Sequence, residues 1–89
     1  MNEELNKAIK FHRKGNLEKA EKIYLEILNL DKKNSYLLQL IGTLYLQKKN
    51  YNLSEKYLLD SLEKDPKNPG TLNNLGILKK NTKDFVKSL

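Results

Sequence analysis

One histidine, no cysteine and eleven acidic side chains in 89 residues limit the chemistry this chain could do. His12 could serve as a general base or a metal ligand, but it has only scattered carboxylates for company, and a lone histidine is far more often structural than liganding. Glu21 and Glu55 lie where ordinary helix-surface charges lie, and no pair of carboxylates stands apart as an acid and base couple. Gly42 and Gly76 belong to no G-x-x-x-x-G-K phosphate cradle. The sequence therefore predicts no catalytic residue, no metal, no cofactor and no enzyme in its own right.

Charge is the next feature that could bind something. The formal net charge is +6, and basic charge is the main source of non-specific affinity for nucleic acid. Sixteen of the seventeen basic residues are lysine, however, and only Arg13 offers the planar fork that reads phosphate or guanine. Nucleic acid is not the partner this composition favours. Arg13, Lys14, Lys48, Lys49, Lys80 and Lys83 are expected near turns along one edge, where the simpler reading is a solvated edge of cations placed by helix dipoles. The longest apolar-rich stretch, Tyr36 to Leu46, contains Gln39 and is too short to span a bilayer. The N-terminus has no apolar block of the signal-peptide kind, so a cytoplasmic protein is expected and no membrane association.

What positions these residues is a repeat. Shifted by 34 residues, Ala8 aligns with Gly42 and Gly76, Phe11 with Tyr45, Leu17 with Tyr51 and Phe85, and Leu28 with Leu62. Glu21 and Lys22 fall on Glu55 and Lys56, and LDKKN falls on KDPKN. Each unit carries two stripes at helical spacing. Leu5, Ala8, Ile9 and His12 form the first, and Leu17, Ala20, Tyr24, Ile27 and Leu28 the second, across a turn at Gly15-Asn16. In the next unit Leu37, Leu38, Ile41, Leu44 and Tyr45 precede a break at Lys49-Asn50, and Tyr51, Leu53, Tyr57, Leu58 and Leu62 follow it. Asn34 or Ser35, and Asn68 before Pro69, are the expected N-caps between units. One domain is expected, with units at 1–34, 35–68 and, in part, 69–89. A glycine inside a helix costs about 1 kcal/mol against alanine, so Gly42 and Gly76 predict close helix crossings, with Ala20 and Ser54 as the small facing residues.

The period and the order of small and aromatic positions resemble the tetratricopeptide repeat, whose signature is W-x2-L-G-x2-Y, A-x3-F and P. Leu38, Ile41, Gly42, Tyr45, Ser54, Leu58 and Pro66 match it in the middle unit. The first unit keeps Ala8, Phe11, Ala20 and Tyr24 but has Glu4, Lys7 and Lys32 at other signature places. The third keeps Leu72, Leu75 and Gly76, with Lys79 in the aromatic position. The resemblance implies an all-α fold, an α-α superhelix (solenoid) of antiparallel helix pairs, acting as a scaffold for a protein or peptide partner. It implies a concave groove lined by Asn6, Ile9 and Arg13, then Gln39, Leu40, Thr43 and Gln47, then Asn73, Asn74, Ile77 and Asn81. The amides among them could bond a peptide backbone.

Family members that grip a C-terminal carboxylate use Lys, Arg and Asn where this chain has Leu5, Ile9, Leu40, Gly70 and Asn74, so that activity is not implied. Asn6 and Asn74 are similar to the asparagine ladder of repeat domains attached to sugar-transferring enzymes, although Leu40 interrupts it. An alternative is thus an N-terminal segment of a larger bacterial glycosyltransferase- or sulfotransferase-type protein. The third unit is expected to stop early in its second helix, leaving Leu75, Leu78, Phe85 and Leu89 short of cover. Either the chain is a piece of a longer repeat protein, or two copies pair as a homodimer through the C-terminal partial unit.

Overall fold

The computed structural model describes the backbone of residues 2–88 and the side chains of residues 3–83. It contains five helices: α1 (Asn2–Arg13), α2 (Leu17–Leu30), α3 (Ser35–Gln47), α4 (Tyr51–Lys64) and α5 (Pro69–Ser88), with no strand among the described residues. Adjacent helices pack on one another in an elongated stack of 41 × 28 × 18 Å. This is the helical solenoid that the period implies.

The turns follow from local chemistry. At the end of α1, Asn16 N–H donates to Phe11 O at 2.9 Å and Gly15 N–H to His12 O at 3.1 Å, with Gly15 at φ +83°. That is a Schellman ending, and glycine adopts its left-handed residue without steric cost. The end of α3 repeats it: Asn50 N–H donates to Tyr45 O at 2.9 Å and Lys49 N–H to Leu46 O at 3.1 Å. Here Lys49 takes φ +63°, a conformation that costs a side-chain-bearing residue about 1 kcal/mol or more. Asn34 caps α3 by accepting from Leu37 N–H at 3.1 Å, and Asn68 caps α5 by accepting from Thr71 N–H at 3.2 Å. Asn50 caps α4 in the same way, through Leu53 N–H at 3.3 Å.

The third unit departs from the expected helix-turn-helix. The period puts a turn at Lys83-Asp84, but α5 runs unbroken from Pro69 to Ser88. No glycine stands there to ease a left-handed residue, and no second helix among the described residues rewards the bend by packing back. Lys80 and Lys83 are consequently on a helix flank and not at a turn, so the expected basic edge is not continued into this unit. Of the residues expected to lack cover, Leu78 is instead buried with Leu46 and Leu58 and Leu75 is half-buried beside them, because α5 packs on α3 and α4, while Phe85 and Leu89 lie outside the described side chains.

Ala8, Ala20, Tyr24, Ile27, Leu37, Ile41, Leu44 and Tyr45 form the main core between the first two units. A second cluster of Leu46, Leu58 and Leu78, flanked by Tyr51 and Leu75, joins α5 to the stack. The glycine expectation holds at one site and fails at the other. A Cβ on Gly42 would sit 2.6 Å from the Leu58 side chain, and the Gly42 carbonyl accepts the Ser54 hydroxyl at 2.8 Å. Gly42 is therefore a true close crossing, with Ser54 facing it. Gly76 is exposed, and a Cβ there would meet nothing within 4 Å. The packing that makes a glycine useful is missing at that position, because no helix lies over that face of α5 among the described residues.

Two polar clusters pin the units together. The Ser61 hydroxyl lies 2.8 Å from Ser35 O, 2.9 Å from Ser35 Oγ and 2.7 Å from Thr71 Oγ1, tying the end of α4 to the starts of α3 and α5. Ser61 and Thr71 are fully buried, and satisfied hydroxyls are what permit that burial. On the other flank the Tyr45 hydroxyl donates to Glu21 at 2.6 Å, and Lys48 Nζ lies 2.7 Å from the same carboxylate. Lys48 and Tyr45 together hold the Glu21 carboxyl below the usual carboxylate range.

Candidate interaction surface

The first helix of each unit, α1, α3 and α5, carries the predicted groove residues. Tyr36, Leu40, Thr43 and Gln47 follow i, i+4, i+7 and i+11 and so share one face of α3. Ile9 and Arg13 stand one turn apart on α1. Together Ile9, Arg13, Leu40 and Gln47 line an open concavity of about 240 Å³, which His12 and Tyr36 complete. Ile9 and Leu40 are half-buried; Arg13 and Gln47 are exposed. Tyr36 leaves 51% of its surface in water, a large aromatic at the rim of a concave site.

His12 is built into the floor. Its Nδ1 is 2.8 Å from the Tyr24 hydroxyl and its Nε2 is 2.5 Å from Gln47 Oε1. With an acceptor facing Nε2, that nitrogen carries the proton, and Nδ1 accepts from the Tyr24 hydroxyl. Burial is the main influence on the ring and lowers its pKa from the ordinary value; the bond to Gln47 works the other way. Burial likewise pushes the Tyr24 hydroxyl up to about 12. Both groups are neutral near pH 7, and both ring nitrogens are occupied. The histidine is thus a strut between α1 and α3, and its chemistry is spent on the fold.

Other predicted groove residues are committed in similar fashion. Asn74 Nδ2 donates to Thr43 Oγ1 at 2.5 Å, and Thr43 Oγ1 donates in turn to Gln39 O at 2.9 Å. The Gln39 side chain lies directly over Gly70, where a Cβ would overlap its amide group. These contacts bring α5 against α3. The amides at 47 and 74 act as stitches between successive first helices, which differs from the expectation that they await a peptide backbone, and the Gln39 side chain packs against α5 at Gly70. A half-buried amide with no partner is costly, and the nearest partner is the adjacent helix. Asn6 and Asn73 are exposed, Asn81 is half-buried, and Ile77 keeps 41% of its surface in water; none of these lines the concavity.

Two lining residues, Tyr36 and His12, were not among the predicted groove positions. Tyr36 could have been found, since it begins the same helical progression that includes Leu40, Thr43 and Gln47. His12 reads from sequence as one of an apolar stripe, and only the cross-helix neighbours Tyr24 and Gln47 reveal its role. Among the described residues no group of three or more His, Asp or Glu side chains is placed to hold a metal ion, and no helix is long and apolar enough to cross a membrane.

No curated protein matches the chain. A family model described as tetratricopeptide repeat matches residues 5–34 and again residues 35–68, the two helix pairs α1–α2 and α3–α4. With most of its length covered by two consecutive matches on helices that stack as such repeats do, the chain belongs to the tetratricopeptide repeat family.

Proposed function

We propose that this protein is a non-catalytic scaffold that holds a peptide segment of a partner protein against the face formed by α1 and α3. Membership of the family points to protein interaction as the class of function. The observation that carries the finer reading is the concavity between Ile9, Arg13, Tyr36, Leu40 and Gln47, in which apolar walls and an exposed aromatic converge beside a cation. Such a surface suits anchoring one side chain of an extended segment. Peptides selected from a random library on the immobilised chain test it. They are expected to lose binding to Leu40→Asp and to keep it for Glu63→Gln, an exposed site on α4, with both variants checked for helical content. Equal binding to the two variants refutes the groove.

Pairing of two copies through residues 69–89 is a second reading, favoured by Leu72, which is 49% exposed, and by the open space at Gly76. Sedimentation over a range of concentrations decides it, because a strictly monomeric folded species excludes pairing.

A further inference from the structure

We infer that the concavity between α1 and α3 selects an acidic peptide segment, taking an apolar side chain between Ile9 and Leu40 and a neighbouring Asp or Glu carboxylate on Arg13. The inference rests on the groove reading above and adds the chemistry of the occupant. Some polar atoms on this face are already used: Gln47 Oε1 accepts from His12, and Thr43 Oγ1 accepts from Asn74 and donates to Gln39 O. Arg13 is different. The ion pairs among the described residues are Lys48–Glu21 and Lys64–Glu63, so no described carboxylate lies within ion-pair distance of its guanidinium. A cation at the last residue of α1 is favoured by the helix dipole, but lysine would serve that purpose equally. The chain uses lysine at sixteen of its seventeen basic positions and arginine only at the one that lines this concavity. What arginine adds is a rigid fork that grips a carboxylate through two hydrogen bonds.

The walls fix the other half of the ligand. Ile9 and Leu40 are half-buried and the Tyr36 ring is open at the rim, so the site removes an apolar side chain from water beside the cation. Its volume of about 240 Å³ is below the roughly 300–1,000 Å³ of small-molecule sites and suits a single leucine-sized anchor. The net charge of +6 raises the local concentration of acidic partners and disfavours basic ones. A phosphate backbone could also meet Arg13 but would leave the apolar walls unfilled, which makes the peptide the better fit.

The test is an NMR titration of the ¹⁵N-labelled 89-residue chain with acetyl-Ser-Glu-Leu-Glu-Ser-amide. The same peptide with Gln for both Glu, the same peptide with Ala for Leu, and a short DNA duplex serve as comparisons. The acidic leucine peptide is expected to shift resonances of Arg13, Tyr36 and Leu40 and to bind about fivefold more tightly than its Gln form, a preference that weakens with salt. Arg13→Gln should abolish that preference while Arg13→Lys restores part of it, and the Ala peptide should bind more weakly than the Leu peptide. Equal affinity for the Glu and Gln peptides at the groove overturns the inference and leaves the groove standing. DNA shifting the same residues with higher affinity than the peptide also overturns it. Absence of any groove shift, with library peptides that still depend on Leu40, overturns the inference alone; absence with no Leu40 dependence overturns the groove as well.

Discussion

Two glycines aligned by the repeat should respond to the same substitution with opposite signs. In Gly42→Ala the new methyl lies 2.6 Å from both Cγ and Cδ2 of Leu58 and 3.3 Å from its backbone nitrogen. Leu58 is fully buried, so its branch point cannot swing into solvent, and the two helices must part. Overpacking of this kind costs roughly 1–3 kcal/mol, and alanine returns about 1 kcal/mol of helix propensity. Separation of the helices also stretches the 2.8 Å bond from Ser54 to the Gly42 carbonyl, which puts the expected net loss at about 1–2 kcal/mol. In Gly76→Ala nothing lies within 4 Å of the methyl, so only the propensity gain remains, about 0.5–1 kcal/mol of stabilisation. For a chain of this size 1 kcal/mol corresponds to roughly 4–8 °C in Tm. Thermal and urea unfolding followed by circular dichroism should therefore separate the two variants by about 10 °C. Gly42→Ala at or above the wild-type Tm would refute the close-crossing argument. A concentration-dependent loss of stability in Gly76→Ala would show instead that this face is covered by a second copy.

Lys49→Gly should stabilise by about 0.5–1 kcal/mol, because the left-handed residue at φ +63° then carries no Cβ; a lower midpoint in urea counts against that account. His12 has a lowered pKa in the fold, so the unfolded chain binds the extra proton first, and stability should fall as pH drops from the ordinary value of 6.5 towards the folded value. Tm measured between pH 7.5 and 5 should show this slope in the wild type and lose it in His12→Gln, since Glu21 titrates only below that window. Tyr45→Phe removes the 2.6 Å bond to Glu21 and should cost about 1 kcal/mol, most of it coupled to Glu21→Gln in a double-mutant cycle. Ser61→Ala withdraws a fully buried hydroxyl from Ser35 and Thr71 and should cost about 1–3 kcal/mol by the same unfolding assay.

Much of the fold was legible because helical periodicity and caps are local. Asn34, Asn68 and Pro69 announce two helix starts, and Gly15 announces a helix end, through bonds that reach at most a few residues along the chain. The buried sets on α2 and α3 follow from spacing alone, since Ala20, Tyr24, Ile27, Leu37, Leu38, Ile41, Leu44 and Tyr45 are all buried where the stripes put them. The groove was less legible. Of the predicted residues Ile9, Arg13, Leu40 and Gln47 border one concavity, but a position on a helix face does not say whether an amide points at a ligand or at an adjacent helix, and at Gln47 and Asn74 it points at an adjacent helix. The third unit misled for a related reason: Gly76 falls at the same place in the period as Gly42 but has no helix over it among the described residues.

By itself the sequence determined the period, the helix pairs and the residues that leave water, because each depends on short-range geometry and on the sorting of apolar from polar side chains. The tertiary structure decided the pairings: Ser54 under Gly42, His12 held between Tyr24 and Gln47, Ser61 shared by three helices, and Arg13 left beside an apolar hollow. Those depend on how far one helix stands from another, a distance set by the sum of all side chains between them, which no spacing along the chain encodes.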